Sequence, residues 1–244
     1  MTGGYLDWQV RQRVIRPIIA FREYIFRDVL PQFSNLGQRA DRIGVDYYEK
    51  MVSQPAAEDF DGDLSGFAKD AQDRALSWYE MMRSLRQTML NLLTAGLFHL
   101  IEQQLAALCR DAGFLIGPPM DTRLEIVAKW YEDNLRLDLR LLSSWCLIDE
   151  LRLVANTVKH AEGRSSSELR SLRPELFRDP VFAAVATYEE MEIDDYYDKK
   201  IISAPLAGED LFVTEDLLKQ YAEGAESFFR EIAGHFAAHT DENY

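Results

Sequence analysis

Four side chains past the middle of the chain could move protons and hold phosphate: Arg152, Asn156, Lys159 and His160. Histidine titrates near neutrality and can act as general acid or base. An adjacent lysine or arginine can stabilise the charge that builds on a phosphorane. An asparagine amide can orient a scissile phosphate or fix the imidazole tautomer. Such a set is sufficient in principle for metal-free RNA cleavage with the 2′-hydroxyl as nucleophile. Read as a helix, this segment puts Leu147, Leu151, Val154 and Val158 in one apolar stripe. Asp149, Arg152, Asn156, Lys159 and His160 then fall within an arc of roughly 100° on another face. The same spacing also describes a solvated face whose histidine makes a local hydrogen bond. His99 and Glu102, at i, i+3 in an apolar helix, form a second polar pair. They either face the strip and tune His160, or are a satisfied core histidine beside a boundary glutamate.

The elements that would position these groups are helices. Val10, Val14, Ile18, Phe21, Ile25 and Val29 share a face, which predicts a helix over about 5–32, kinked or split by Pro17 and ended by Pro31. Asp41 to Met51 forms a short second helix. Gln54 to Gly66 is an acidic loop; its Asp59, Asp61 and Asp63 alternate as in a calcium loop, but Leu64 and Asp70 break that pattern. Phe67 to Arg110 keeps helical spacing throughout and would be about 66 Å long as one helix. That length predicts a bend near Thr94, Ala95 and Gly96. Thr122 and Glu125 have capping-box spacing for a helix to about Asn134. Ser143 or Ser144 caps the next, which runs to Ala161 and is ended by Gly163. Arg164 to Pro180 reads as irregular or as short turns, Val181 to Met191 as helical, and Lys200 to Val213 as a small β-hairpin. Thr214 caps a last helix that buries Leu218, Tyr221, Ala225, Phe228, Phe229, Ile232 and Phe236.

The fold class is therefore mainly α: a helical bundle with one long bent helix and at most a small β-hairpin near the C-terminus. It is organised as a single domain over 1–244. A helical subregion over 1–53 precedes the loop at 54–66, a core spans about 67–163, and the hairpin and last helix cover 200–238.

Composition excludes several classes. The 244 residues carry 27 Lys and Arg against 41 Asp and Glu, a net charge of −14, which opposes broad nucleic-acid binding while leaving a local basic strip at 152–160 where RNA could sit. Cys109 and Cys146 both lie in apolar helical stretches and read as reduced, buried thiols. With no signal-peptide pattern and no apolar run of membrane-spanning length, a cytoplasmic setting without a membrane is expected. The four histidines lack the Glu-x-x-His spacing of a metal carboxylate site. Glu231, His235 and His239 could hold a stray divalent ion, or are a frayed surface helix end. No Gly-rich phosphate loop, Gly-x-Ser-x-Gly or Cys–His pair is present, so no cofactor and no metal is expected.

The helix ending Asn156-Thr-Val-Lys-His-Ala-Glu-Gly163 resembles the HEPN superfamily. The likeness lies in the motif and, more loosely, in the helical region about 67–161. It implies a helical bundle of prokaryotic defence or toxin–antitoxin systems, where many members are ribonucleases and others are nucleotide- or partner-binding modules. Asn156 and His160 match the polar residue and the histidine of the motif. Ala155 stands in place of its arginine, with Arg152 and Lys159 as the nearby cations. Ala cannot supply the planar, bidentate phosphate contact of a guanidinium. The resemblance thus implies a non-catalytic interaction or sensor module, with a metal-independent endoribonuclease using His160 as the alternative. It further implies a homodimer or a partner protein.

Overall fold

Pro17 lacks an N–H, and its ring would strike the carbonyl four residues back, that of Arg13. The chain nevertheless stays helical there. In the computed structural model, helix α1 (Gly3–Gln9) runs into a π-helical stretch, Val10–Ile15, and then into α2 (Arg16–Tyr24), with Pro17 in its first turn. The wide turn contains Arg13, so the offending carbonyl sits in the looser part of the helix. The arrangement repeats. A second π stretch, Ile25–Val29, contains Arg27, four residues before Pro31, which lies in the 3-10 turn Leu30–Phe33. Leu6, Val10, Val14, Ile18 and Ile25 remain buried along this segment. The structure describes residues 3–54, 64–112, 117–119, 121–180 and 210–239.

Asn35, in the left-handed region (φ 54°, ψ 35°), turns the chain into α3 (Leu36–Val52), which starts earlier than the spacing predicts. Helix α4 (Ser65–Ala112) is continuous over 48 residues, about 72 Å by its rise per residue. It is the long bent helix of the bundle. Thr94 Oγ1 donates to the Leu90 carbonyl at 2.8 Å, a back-bond that bends helices. One stretch of α4 is long and apolar enough, by length and composition, to cross a membrane, and half of it is buried within the chain.

α3 lies antiparallel on the N-terminal half of α4. Arg39 stacks over Trp78, Gly44 abuts Ala71 and Ala75, and Arg74 stacks over Tyr47. Among the described residues the remaining α-helices are α5 (Leu124–Leu135), α6 (Trp145–His160), α7 (Arg164–Leu172) and α8 (Glu215–Ala238). With the C-terminal half of α4 and the N-terminal segment they enclose the core. Phe98, Tyr131, Tyr221, Phe228, Phe229 and Phe236 are fully buried there. Each side chain of this kind is worth about 1.5–3 kcal/mol of burial. α1 meets the end of α8 so closely that a Cβ on Gly3 would collide with the Phe236 carbonyl oxygen.

Several local expectations are corrected. Thr122 does not cap α5; the Asp121 carboxylate accepts the Arg123 N–H instead (2.9 Å). Ser144 does not cap α6 with its side chain. Glu231, reaching across from α8, accepts the Ser143 N–H (2.7 Å), the Ser143 hydroxyl (2.9 Å) and the Ser144 N–H (3.2 Å). Arg164 to Pro180, expected as irregular chain or short turns, holds the short 3-10 turn Pro174–Phe177 but also a nine-residue helix, α7. Gly163 caps the start of α7, while α6 turns off at Ala161. Cys109 is buried, with its thiol pushed up to about 12, but Cys146 is exposed because the stripe around Ile148 and Leu151 faces inward.

Thr214 caps α8 as its spacing predicts, accepting the Leu217 N–H at 3.1 Å, and the seven residues expected to face inward are all buried. Among the described residues there is no strand. Leu211 to Val213 are buried chain without regular structure, whose backbone bonds to Asn91, Leu176 and Gln87, not to a partner strand. The rest of the expected hairpin, over 200–209, lies outside the described residues. So do the helix expected over 181–191 and the acidic stretch 55–63.

Candidate functional site

α6 carries the strip, and the core decides which of its faces are available. Leu151, Leu153, Val154, Ala155, Thr157 and Val158 are buried. Ala155, at the arginine position of the motif, is fully buried. A long cation at that position would point into the core.

The polar residues lie on the other side. Arg152 is partly buried and donates from Nε to the Asp149 carboxylate at 2.7 Å. It also acts on Glu168 of α7, whose carboxyl is held below its ordinary range, chiefly by the hydrogen bond from Arg164. Asn156 is partly buried, and Lys159 and His160 are exposed at the helix end. Directly after His160 the backbone enters an unusual conformation. Ala161 has φ 58° and ψ −134°, and its N–H bonds to the Thr157 carbonyl at 2.9 Å. A positive φ at a non-glycine residue is costly and persists only where packing imposes it. The buried Ser166 hydroxyl closes the turn, accepting the Gly163 N–H at 2.8 Å.

α4 brings the second polar pair alongside. Gln103 Nε2 donates to His99 Nε2 at 2.9 Å, which leaves His99 Nδ1 directed at Glu102, 3.7 Å away. Burial raises the Glu102 carboxyl above its ordinary range, and Lys159 and His99 oppose that rise. The structure therefore gathers His99, Glu102 and Lys159, the last from α6. Arg152 is instead held within its own turn by Asp149.

Two polar features join groups far apart in the chain. Glu150, on α6, accepts the Tyr221 hydroxyl of α8 at 2.6 Å and the Arg173 guanidinium at 2.7 Å. Burial, then the Glu150 hydrogen bond, drive the Tyr221 phenol far above its ordinary range. This tie fastens α6 to α8. The second feature is a groove of about 960 Å³ at the base of the α3–α4 hairpin, walled by Phe33, Tyr79, Phe212 and the pairs Arg83–Asp179 and Arg86–Glu215. Tyr79, Arg83, Arg86 and Gln87 follow helical spacing within α4, which was the one signal for it. Arg83, Arg86 and Gln87 find Asp179, Glu215 and the Val213 carbonyl far along the chain.

Among the described residues, no three His, Cys, Asp or Glu side chains gather as a metal site requires. Glu231 is engaged at the start of α6, away from the expected trio. The His239 and His235 rings lie 4.4 Å apart between centroids, tilted by 33°, with a 2.8 Å bond from His239 Nδ1 to the His235 carbonyl. The chain matches no protein-family model, no curated protein and no solved structure.

Proposed function

We propose that this chain is a non-catalytic, HEPN-like interaction or sensor module of a prokaryotic defence or toxin–antitoxin type system, cytoplasmic and acting through a partner protein. The observation that carries the non-catalytic reading is the burial of Ala155. The motif's guanidinium is missing, and its place faces a packed core. Arg152, the nearest guanidinium on the strip, is committed to Asp149 at 2.7 Å. The groove beside Arg83 and Arg86, at about 960 Å³, falls in the size range of small-molecule sites and gives a sensor a place to bind.

The second reading, a metal-independent endoribonuclease, is favoured by one observation. Lys159 and His160 are both solvent-exposed at the end of α6, where RNA could reach them. One assay separates the two readings. Purified protein is incubated, without added metal, with single-stranded and structured RNAs, and the products are tested for 2′,3′-cyclic phosphate ends. The module reading expects no cleavage, with wild type and His160→Ala indistinguishable. Cleavage that His160→Ala abolishes would overturn it.

A further inference from the structure

We propose that the outer face of the N-terminal helical segment is a docking strip for an anionic lipid bilayer. The inference rests on charge and exposure and not on the HEPN-like reading. One residue in six of this chain is an acid, yet the fifteen residues 8–22 contain four arginines and no acid. The imbalance reaches further. Residues 1–54 hold 8 Lys and Arg against 6 Asp and Glu, a net +2, whereas 55–244 hold 19 against 35, a net −16. Charge distributed this unevenly turns one side of a molecule toward an anionic partner. Packing decides which side that is. The segment lies against α8 and, at its start, α4, with Leu6, Val10, Val14 and Ile18 buried. Tyr5, Trp8, Arg13, Arg16, Tyr24 and Arg27 are exposed, over a length of about 30 Å. Trp8, at 50%, is the only exposed one of the four tryptophans. Arg13 and Arg16 have no acidic partner among the described residues, while Arg11 and Arg27 bridge to Asp7 and Asp28. Glu23 is the one acid of the segment that is exposed.

Charge complementarity calls for an anion, and the other features of the strip select a bilayer among anions. Its exposed rings belong to tryptophan and tyrosine, whose apolar body and polar tip suit the layer between hydrocarbon and water. The aliphatic side chains of the segment are spent on the core, so the strip rests among headgroups and does not insert deeply. Tyr5 and Trp8 stack on each other, 6.4 Å between centroids and 28° between planes. Each ring thereby covers a face that a stacking nucleobase would need. Shape points the same way. A plane laid on the outer side of one helix meets the strip, while α4 and α8 stand one helix spacing, about 8–10 Å, behind it. That is roughly one Debye length at physiological ionic strength, so repulsion from the acidic remainder is screened. A flexible nucleic acid strand longer than the strip would run onto that acidic surface. Each arginine held near an anionic surface strengthens binding about fivefold. The contact is peripheral: nothing crosses the bilayer, and the bundle stays on one side of it.

The test is co-sedimentation of the full chain with vesicles, read beside tryptophan emission. At low salt, wild type is expected to sediment with phosphatidylcholine vesicles containing about one-third phosphatidylglycerol, and not with pure phosphatidylcholine. High salt should release it. Tryptophan emission should shift to the blue on binding, and Trp8→Phe should abolish that shift while keeping most of the binding. Arg13→Glu with Arg16→Glu, both at exposed positions, should keep the wild-type circular dichroism and weaken binding about 100-fold or more. Arg13→Lys with Arg16→Lys should bind within about twofold of wild type, because a surface potential reads charge and not guanidinium geometry. Arg164→Glu, an equally exposed reversal on α7, should change binding by less than about threefold. Failure to sediment with anionic vesicles at low salt would overturn the proposal. So would equal sedimentation with neutral vesicles, or equal losses from Arg164→Glu and the paired reversal. A wild type that ignores vesicles but binds a labelled single-stranded oligonucleotide through Arg13 and Arg16 would assign the strip to nucleic acid. None of these outcomes depends on whether the protein cleaves RNA.

Discussion

The two halves of α4 are built from similar residues and are held in opposite ways. From Leu90 to Ala112 the helix buries Leu90, Leu97, Phe98, Ile101, Leu105 and Leu108 against α1, α5, α6 and α8. From Ser65 to Met89 only Ala71 is buried, although the stretch contains Leu76, Trp78, Met81, Met82 and Leu85. There the helix has mainly α3 beside it, and the contact is made by small residues. Gly44 lies against Ala71 and Ala75, with Ala40 buried one turn before it, flanked by two guanidinium–aromatic stacks. Helical spacing of apolar residues therefore makes a helix in both halves. Whether those residues become core depends on how many elements the topology brings to them.

Substitutions should affect the two halves unequally. The largest effect is expected from charging the body. Ala155→Arg places an unpaired cation in a filled core and should cost about 3–5 kcal/mol or prevent folding, read by urea denaturation. A stable Ala155→Arg protein that gains RNA cleavage would refute the burial argument. Phe98→Ala, in the well-packed half of α4, should cost about 3–5 kcal/mol, whereas Leu85→Ala, in the exposed half, should change stability by less than about 0.5 kcal/mol. Equal losses would erase the distinction between the halves.

Glu231→Gln weakens the cap that α8 gives to α6 and should cost about 1 kcal/mol at neutral pH. Burial pushes the Glu231 carboxyl up, but the hydrogen bonds from Ser143 and Ser144 outweigh it, and the folded carboxyl titrates below its ordinary range. Its stabilisation is therefore complete above the unfolded carboxyl range, near pH 4.3, and is lost as pH falls through the lower folded value. Wild type and Glu231→Gln should converge in acid melts. The smallest global effect is expected from Gly44→Ala. The new Cβ would sit 3.1 Å from the Ala71 carbonyl oxygen, so α3 should lift from α4 locally. Faster amide exchange confined to α3 and the first half of α4 would show it; uniform loosening would not fit.

How much of this was legible in the sequence follows the range of each interaction. α8 was readable throughout, since its cap, Thr214, and its buried face lie within one segment. Ala155 was readable too, because it follows Val154 and falls in step with Leu151 on the apolar stripe. The cap of α6 was not, because Glu231 lies 88 positions from Ser143. α7 escaped notice because only Ser166 and Leu169 of it are buried, too few to make a period. The groove was hidden for the same reason as the α6 cap: Arg83 finds Asp179 only once the chain has folded over 96 positions. At the candidate site, spacing placed His99, Glu102, Lys159 and His160 on helices, but only the packing of α4 on α6 brings Glu102 to Lys159.

The π turns that precede Pro17 and Pro31 have a consequence for chain length. A π turn holds about one residue more than an α turn, so the N-terminal segment contains two built-in units of slack. Removing Arg13 together with Pro17→Ala would close the first wide turn to ordinary helix, and Leu6 and Val10 would still face α8. The same single-residue removal from the middle of α8, which has no slack, would swing everything beyond it by about 100° and expose half of its aromatic face. Insertions and deletions should therefore be absorbed in the first thirty residues and rejected in the last helix.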